Sequence, residues 1–246
     1  DGSDGSGSAS GCTAIADCPT SVCLPDGTCA AEDQVAWLDP ASTATAPCTM
    51  AQPCYRLLDA LATNRPYIRV HGAITNLNGI SRAVSIFGEP GASFNSNISV
   101  NAAAEIYDLT YQGCLTVPSG SALSLVRDTV TSCMNSTTIN ATGALTVDRC
   151  LFTGNRGTAI LVSSNAMAPF AITNSFIVGN GNQMMNSVGG INIATTVPPG
   201  SKLEFNTIVD NGAKNGSSNT AGGVYCNDAT FTAYSNIIAH NNIQGA

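Results

Sequence analysis

Charge is scarce in this chain. Only 10% of its 246 residues are charged, against about a quarter in an ordinary soluble domain. The 9 basic residues are outnumbered by 16 acidic ones, for a net charge of −7. No cluster of Lys and Arg occurs, and without a basic patch the electrostatic footprint of a nucleic-acid partner is missing. No apolar run approaches the roughly 18 residues of a membrane span, so no membrane-spanning segment is expected. No leader segment is evident, so the sequence reads as a mature chain or a cut piece. Cys-x-x-Cys pairs, which zinc and redox motifs use, are absent as well.

What is abundant suits turns and a core. Hydrophobic residues make up 43%, and the chain holds 24 Gly and 23 Asn, both residues of tight bends. The 10 cysteines are too many for an ordinary cytosolic protein. Their even number fits disulfides formed in an oxidising compartment better than metal binding. The expected location is extracellular or at a cell surface.

Residues 1–11, DGSDGSGSASG, have the composition of a flexible linker, either a tether or a plain disordered terminus. A lipid-bearing cysteine upstream is one anchor such a tail would serve. Residues 12–30 form a disulfide-rich mini-module with Cys12, Cys18, Cys23 and Cys29. Four cysteines allow three pairings. Cys12–Cys23 with Cys18–Cys29 is favoured because it interlocks two loops. So short a unit needs crosslinks to hold it. It reads as a binding module or as a stapled spacer. Residues 31–246 then open with a strand, QVAWLDP. A helix is expected at about 53–63, started by Pro53, with Leu57, Leu58 and Leu61 as its apolar face. Cys48 and Cys54 are close enough to pair across the loop before it.

Beyond residue 66 no long helical period appears, and short apolar segments recur instead. Six rows align: IYDLTYQGC to Cys114, LVRDTVTSC to Cys133, VDRCLFTGN to Asn155, ITNSFIVGN to Asn180, LEFNTIVDN to Asn211 and AYSNIIAHN to Asn241. Three residues before each end stand Tyr111, Val130, Phe152, Ile177, Ile208 and Ile238. Eight before stand Ile106, Leu125, Val147, Ile172, Leu203 and Ala233. Asparagine is poor in strand interiors, yet it closes four of the rows. Rows of this kind are turns of a coil that stack at about 4.8 Å. The asparagines sit at the bends and form amide ladders. Unequal spacings are absorbed in loops, as in solenoids. Stacking makes Cys114 and Cys133 neighbours and predicts their disulfide. Cys150 falls in an inward column and reads as free, and Cys226 has no evident partner.

These rows, together with the lead-in WLDP, AQPCYRLLDALA and RPYIRV, resemble the right-handed parallel β-helix of the pectin-lyase-like superfamily. The resemblance covers about residues 35–246. It implies an all-β, right-handed parallel β-helix solenoid whose N-terminal edge is covered by an amphipathic helix, shielding it from aggregation. Enzymes of that superfamily cleave acidic polysaccharides, but one fold hosts many activities. Lyases of that superfamily use calcium-binding carboxylates and an Arg or Lys base, and its hydrolases use clustered aspartates in motifs such as Asn-Thr-Asp, Asp-Asp and Gly-His-Gly. None of these motifs is present, and His71-Gly72 lacks the preceding glycine. Hydrolysis needs two carboxylates about 5–9.5 Å apart.

One constellation stands out. Asp108, Arg127 and Arg149 share the column six residues before the row end, which should face outward, with Asp128 and Asp148 one residue away. Two stacked guanidinium forks suit a sugar carboxylate. The bland alternative is a charge ladder, Asp108 against Arg127 and Arg149 against Asp148, each pair contributing about 0–1 kcal/mol. Lys202 and Glu204 share a strand face, His240 sits at a bend, and Asn97, Asn135, Asn140 and Asn215 head Asn-x-Ser/Thr sequons that an Asn-rich chain produces by chance.

The expected function is therefore a secreted or cell-surface β-helix protein acting as a structural, adhesive or carbohydrate-binding module. Its partner would be a polysaccharide or a surface protein, with no cofactor required. The alternative is a polysaccharide lyase or glycoside hydrolase, with Arg127, Arg149, Asp108 and Asp148 as candidate residues and Ca2+ as the implied ion for a lyase. A further alternative is end-to-end self-association, since the last row ends without a visible cap.

Overall fold

The computed structural model describes residues 11–13, 17–20, 22–75, 77, 79–163, 168–181, 188–193, 196–214, 220–227 and 230–243. The proposed linker, apart from Gly11, lies outside them, as do Asn215 and the last three residues. Among the described residues the chain is a parallel β-helix solenoid with three long sheets of nine, eight and six strands. Every strand pairing in these sheets is parallel and joins consecutive coils; Ala122–Val126, for example, lies between Ala103–Tyr107 and Ala144–Asp148.

The registers reproduce the sequence columns. In the nine-stranded sheet Ile86, Ile106, Leu125, Val147, Ile172 and Leu203 stack one over another. In the eight-stranded sheet Phe94, Tyr111, Val130, Phe152, Ile177 and Ile208 do the same. All of these are at most 2% exposed and belong to one continuous core. Full burial of each such side chain contributes about 1.5–3 kcal/mol.

Two bends per coil turn the chain between sheets, and both use a left-handed residue. The first column of bends is Asp108, Arg127, Arg149, Asn174, Phe205 and Ser235, with φ between 52 and 60°. The second includes Ser132, Gly154, Gly179, Asp210 and His240, with φ between 54 and 69°. The residue after each left-handed position turns inward and forms the ladder. Asn155, Asn180 and Asn211 are at most 2% exposed. Asn155 Nδ2 donates to Asn180 Oδ1 and Asn180 Nδ2 to Asn211 Oδ1, both at 2.9 Å. Asn211 Nδ2 continues to Asn241 Oδ1, also at 2.9 Å. The first bend carries a mixed column, in which Ser175 Oγ accepts the Cys150 N–H and Asn206 Oδ1 accepts the Ser175 N–H.

The N-terminal end is closed by strand Val35–Leu38 and the short helix Leu57–Ala62. The helix starts later than Pro53 because Cys54 is held in extended backbone. Its N–H donates to Trp37 O, its carbonyl accepts from the Asp39 N–H, and its sulfur is bonded to Cys48. The buried face is Leu57, Ala60 and Leu61, whereas Leu58 points outward and is 46% exposed. Disulfides also join Cys12 to Cys23, Cys18 to Cys29 and Cys114 to Cys133, leaving Cys150 buried and Cys226 exposed as free thiols. No helix among the described residues is long and apolar enough to cross a membrane.

Candidate functional site

The outer face of the nine-stranded sheet is not bare near its N-terminal end. Alternation puts Trp37, Phe87 and Tyr107 on that outer face, opposite the core. They are nevertheless 4–9% exposed, because Val22 and Ala30 of the cysteine segment pack into the same cluster, with Leu24 partly buried against it. Phe87 and Tyr107 stack with centroids 4.8 Å apart. The cysteine segment is a small hairpin: Cys23 and Cys29 form an antiparallel bridge, and Leu24 N–H donates to Thr28 O. Its tip is the Pro25–Asp26–Gly27 turn, where Asp26 Oδ1 accepts the Thr28 N–H at 2.9 Å and Gly27 takes φ 82°.

Between this tip and the sheet lies an open cleft of about 890 Å3. Its roof is Cys12, Cys23, Leu24, Pro25 and Gly27, and its floor is Phe87, Tyr107, Val126, Asp108, Arg127 and Arg149. The structure thus brings three of the sequence-selected residues, Asp108, Arg127 and Arg149, into one concavity. Their common left-handed backbone aims all three side chains outward at one corner.

The electrostatics distinguish the two arginines. Arg127 gives Nε and Nη2 to the two oxygens of Asp108, both at 2.7 Å. This bidentate pair holds the Arg127 pKa above its ordinary value and occupies the fork. The Arg127 Cζ also lies 5.9 Å from the Tyr107 ring centre. Arg149 donates only Nε, to Asp148 Oδ2 at 2.7 Å, and its side chain is 55% exposed. Its two Nη groups carry no described hydrogen bond, and Arg149 is one of the residues lining the cleft. Burial works to raise the Asp148 pKa, but hydrogen bonds from Asn174, Arg149 and Thr173 outweigh it and hold the carboxyl low. Asp148 does not line the cleft. Tyr107 is pushed up to about 12 by burial, reinforced by its hydrogen bond to Glu105.

Other candidates are placed elsewhere. Asp128 is 2% exposed and turned inward, where its oxygens accept the N–H groups of Leu109 and Val126 at 2.8 and 3.1 Å. Burial drives its pKa well above the carboxylate range. Lys202 and Glu204 form a pair at 3.4 Å on the outer face. His240 is an exposed left-handed bend residue. Asn97 accepts the Cys114 N–H, Asn140 lies within a strand, and Asn135 is on an exposed bend.

The calcium of a lyase does not fit this donor set. Among the described residues the carboxylates form no group of three that could converge on an ion; the one such cluster is Cys12, Cys18 and Cys29, whose sulfurs are in disulfides. The roof of the cleft was not legible as part of a site, although one signal pointed to a covered face. Ala36-Trp37, Ile86-Phe87 and Ile106-Tyr107 place large or apolar residues on both faces of the strand, a mark of two-sided burial. No family model, no curated protein and no solved structure matches this chain.

Proposed function

We propose that this protein is an exported or cell-surface β-helix of the pectin-lyase-like superfamily that works as a carbohydrate-binding or adhesive module. It takes an acidic glycan in the cleft beneath the cysteine hairpin. The observation that carries this reading is the partly free Arg149 fork in a cleft of about 890 Å3. A guanidinium with open Nη groups offers two parallel N–H donors to a sugar carboxylate. Leu24, Pro25 and Val126 give the ligand an apolar wall. Arg127, already clamped by Asp108, forms a charge-neutral pair in the floor rather than the ligand fork. Four disulfides support an oxidising setting, and the stacked parallel coils with their asparagine ladder support the superfamily.

Retention on a panel of immobilised neutral and acidic polysaccharides tests this reading, with reducing ends and the ultraviolet absorbance of unsaturated products followed in parallel. Binding to acidic glycans that falls at least tenfold in Arg149→Ala, and less in Arg127→Ala, is the expected result. Equal retention of an Arg127→Ala, Arg149→Ala double variant would remove the cleft from consideration. Cleavage lost in the same variants would move the protein to the lyase or hydrolase class.

A further inference from the structure

The cysteine hairpin meets the solenoid through side-chain packing. Its own backbone bonds, such as Cys12 N–H to Gly27 O and Ala30 N–H to Val22 O, close within the segment. Its described contact with the sheet packs Val22, Leu24 and Ala30 in one cluster with Trp37, Phe87 and Tyr107, in a column that also holds the buried Arg69 between Trp37 and Phe87. A segment of this size has no core of its own, so its shape depends on its two disulfides.

Those disulfides differ in access from the other two. Cys48, Cys54 and Cys133 are 0% exposed and Cys114 is 8% exposed, so both sulfurs of each of those bonds are buried; in the hairpin Cys12 and Cys18 are buried too, at 5% each, and access comes through their partners. Cys29 is exposed and Cys23 half-buried at the hairpin surface. The sulfurs of Cys12, Cys18 and Cys29 also lie within 4.8 Å of one another. A thiolate released from one bond therefore stands beside the other, placed for exchange.

We propose that the hairpin is a reducible cover over the binding site: a dithiol reductant opens Cys18–Cys29 and then Cys12–Cys23, the segment leaves the sheet, and the aromatic strip beneath joins the cleft. The proposal rests on the acidic-glycan reading for what enters the uncovered site, but not for the movement itself. Each step transfers two electrons and two protons from the dithiol, giving two protein thiols and the disulfide of the reductant. The Phe87 and Tyr107 rings then open into the same cleft that Arg149 lines two coils further on, a stacking floor and an anion fork in one concavity, which suits an oligosaccharide whose sugar rings bear carboxylates.

Trp37 is the single tryptophan of the chain and sits in the covered cluster, so its emission reports the cover directly. The full chain is titrated with dithiothreitol, and thiols are alkylated and mapped by mass spectrometry. Cys12, Cys18, Cys23 and Cys29 are expected to become modified before Cys48, Cys54, Cys114 and Cys133. Over the same range Trp37 emission shifts to longer wavelength, acrylamide quenching rises several-fold, and the far-ultraviolet circular dichroism of the solenoid stays constant. Val22→Asp, with all disulfides intact, is expected to give the same Trp37 shift. Retention on immobilised polygalacturonate is measured before and after reduction and is expected to rise several-fold. Unchanged Trp37 emission once the four hairpin cysteines are alkylated overturns the cover, as does earlier reduction of the solenoid disulfides. A Trp37 shift with no glycan retention in either state supports the cover and overturns the acidic-glycan reading alone.

Discussion

Replacing Asn180 with alanine is the sharpest test of what holds the coils in register. Asn180 is 0% exposed. Its Oδ1 accepts the Asn155 N–H at 3.3 Å and Asn155 Nδ2 at 2.9 Å. Its Nδ2 donates to Phe152 O at 3.0 Å and Asn211 Oδ1 at 2.9 Å. Asn180→Ala removes all four bonds in a place that water does not reach. The Asn155 N–H loses its side-chain acceptor, while Asn155 Nδ2 keeps Val130 O and Asn211 Oδ1 keeps the Asn180 N–H. With about 1–3 kcal/mol per unsatisfied buried group, and partial compensation for the rest, the loss comes to about 2–4 kcal/mol. For a chain of this length that lowers Tm by about 4–16 °C. The control is Asn174→Gly in the same coil. Asn174 faces outward in the left-handed region and has one described side-chain bond, to Asp148. Glycine adopts that φ without strain, so this variant should change stability by less than about 1 kcal/mol. Thermal and urea unfolding followed by circular dichroism measure both. Equal Tm values for the two variants would refute the ladder as a source of stability.

Three further outcomes are expected. Without reductant, iodoacetamide at pH 8 should modify Cys226 and spare Cys150, whose thiol is pushed up to about 12 by burial; peptide mass mapping that found Cys150 labelled in folded protein would contradict its placement. His71 accepts a raised pKa from its 2.7 Å hydrogen bond to Glu89. Its contribution to stability is thus present below the ordinary histidine pKa and lost as pH rises through the folded value. In Glu89→Gln the His71 titration followed by NMR should fall back toward the ordinary value. Asp128 is also raised, by burial. Its folded state favours the proton, so stability falls as pH climbs from the unfolded to the folded pKa. Asp128→Asn should flatten the dependence of the urea midpoint on pH across that interval, and an unaltered slope would mean that Asp128 is ionised in the fold.

The solenoid was readable because its information is local and repeated. Inward apolar residues in every row and a bend asparagine in the last four recur at fixed places, and stacking at a constant spacing turns each recurrence into a column. The pairing of Cys114 with Cys133 follows from the same logic, as neighbours in one column. The helix was legible as an element but not in its start, because Cys54 is fixed by a disulfide and by bonds to Trp37 and Asp39 from another strand. Its face was misread at Leu58: the buried stripe runs i, i+3, i+4 through Leu57, Ala60 and Leu61, and Leu58, the residue after Leu57, is turned about 100° around the helix from it.

By itself the sequence determined the coil, the columns and the outward corner that carries Asp108, Arg127 and Arg149, since each depends on the identity of residues at a fixed place in the repeat. Only the tertiary structure decided that this corner lies in a cleft. The roof comes from a segment some hundred residues earlier in the chain, and its docking rests on apolar contact between Val22, Ala30 and the Trp37–Phe87–Tyr107 strip. Hydrophobic contact is non-directional, so no local pattern in the hairpin names the surface it will cover.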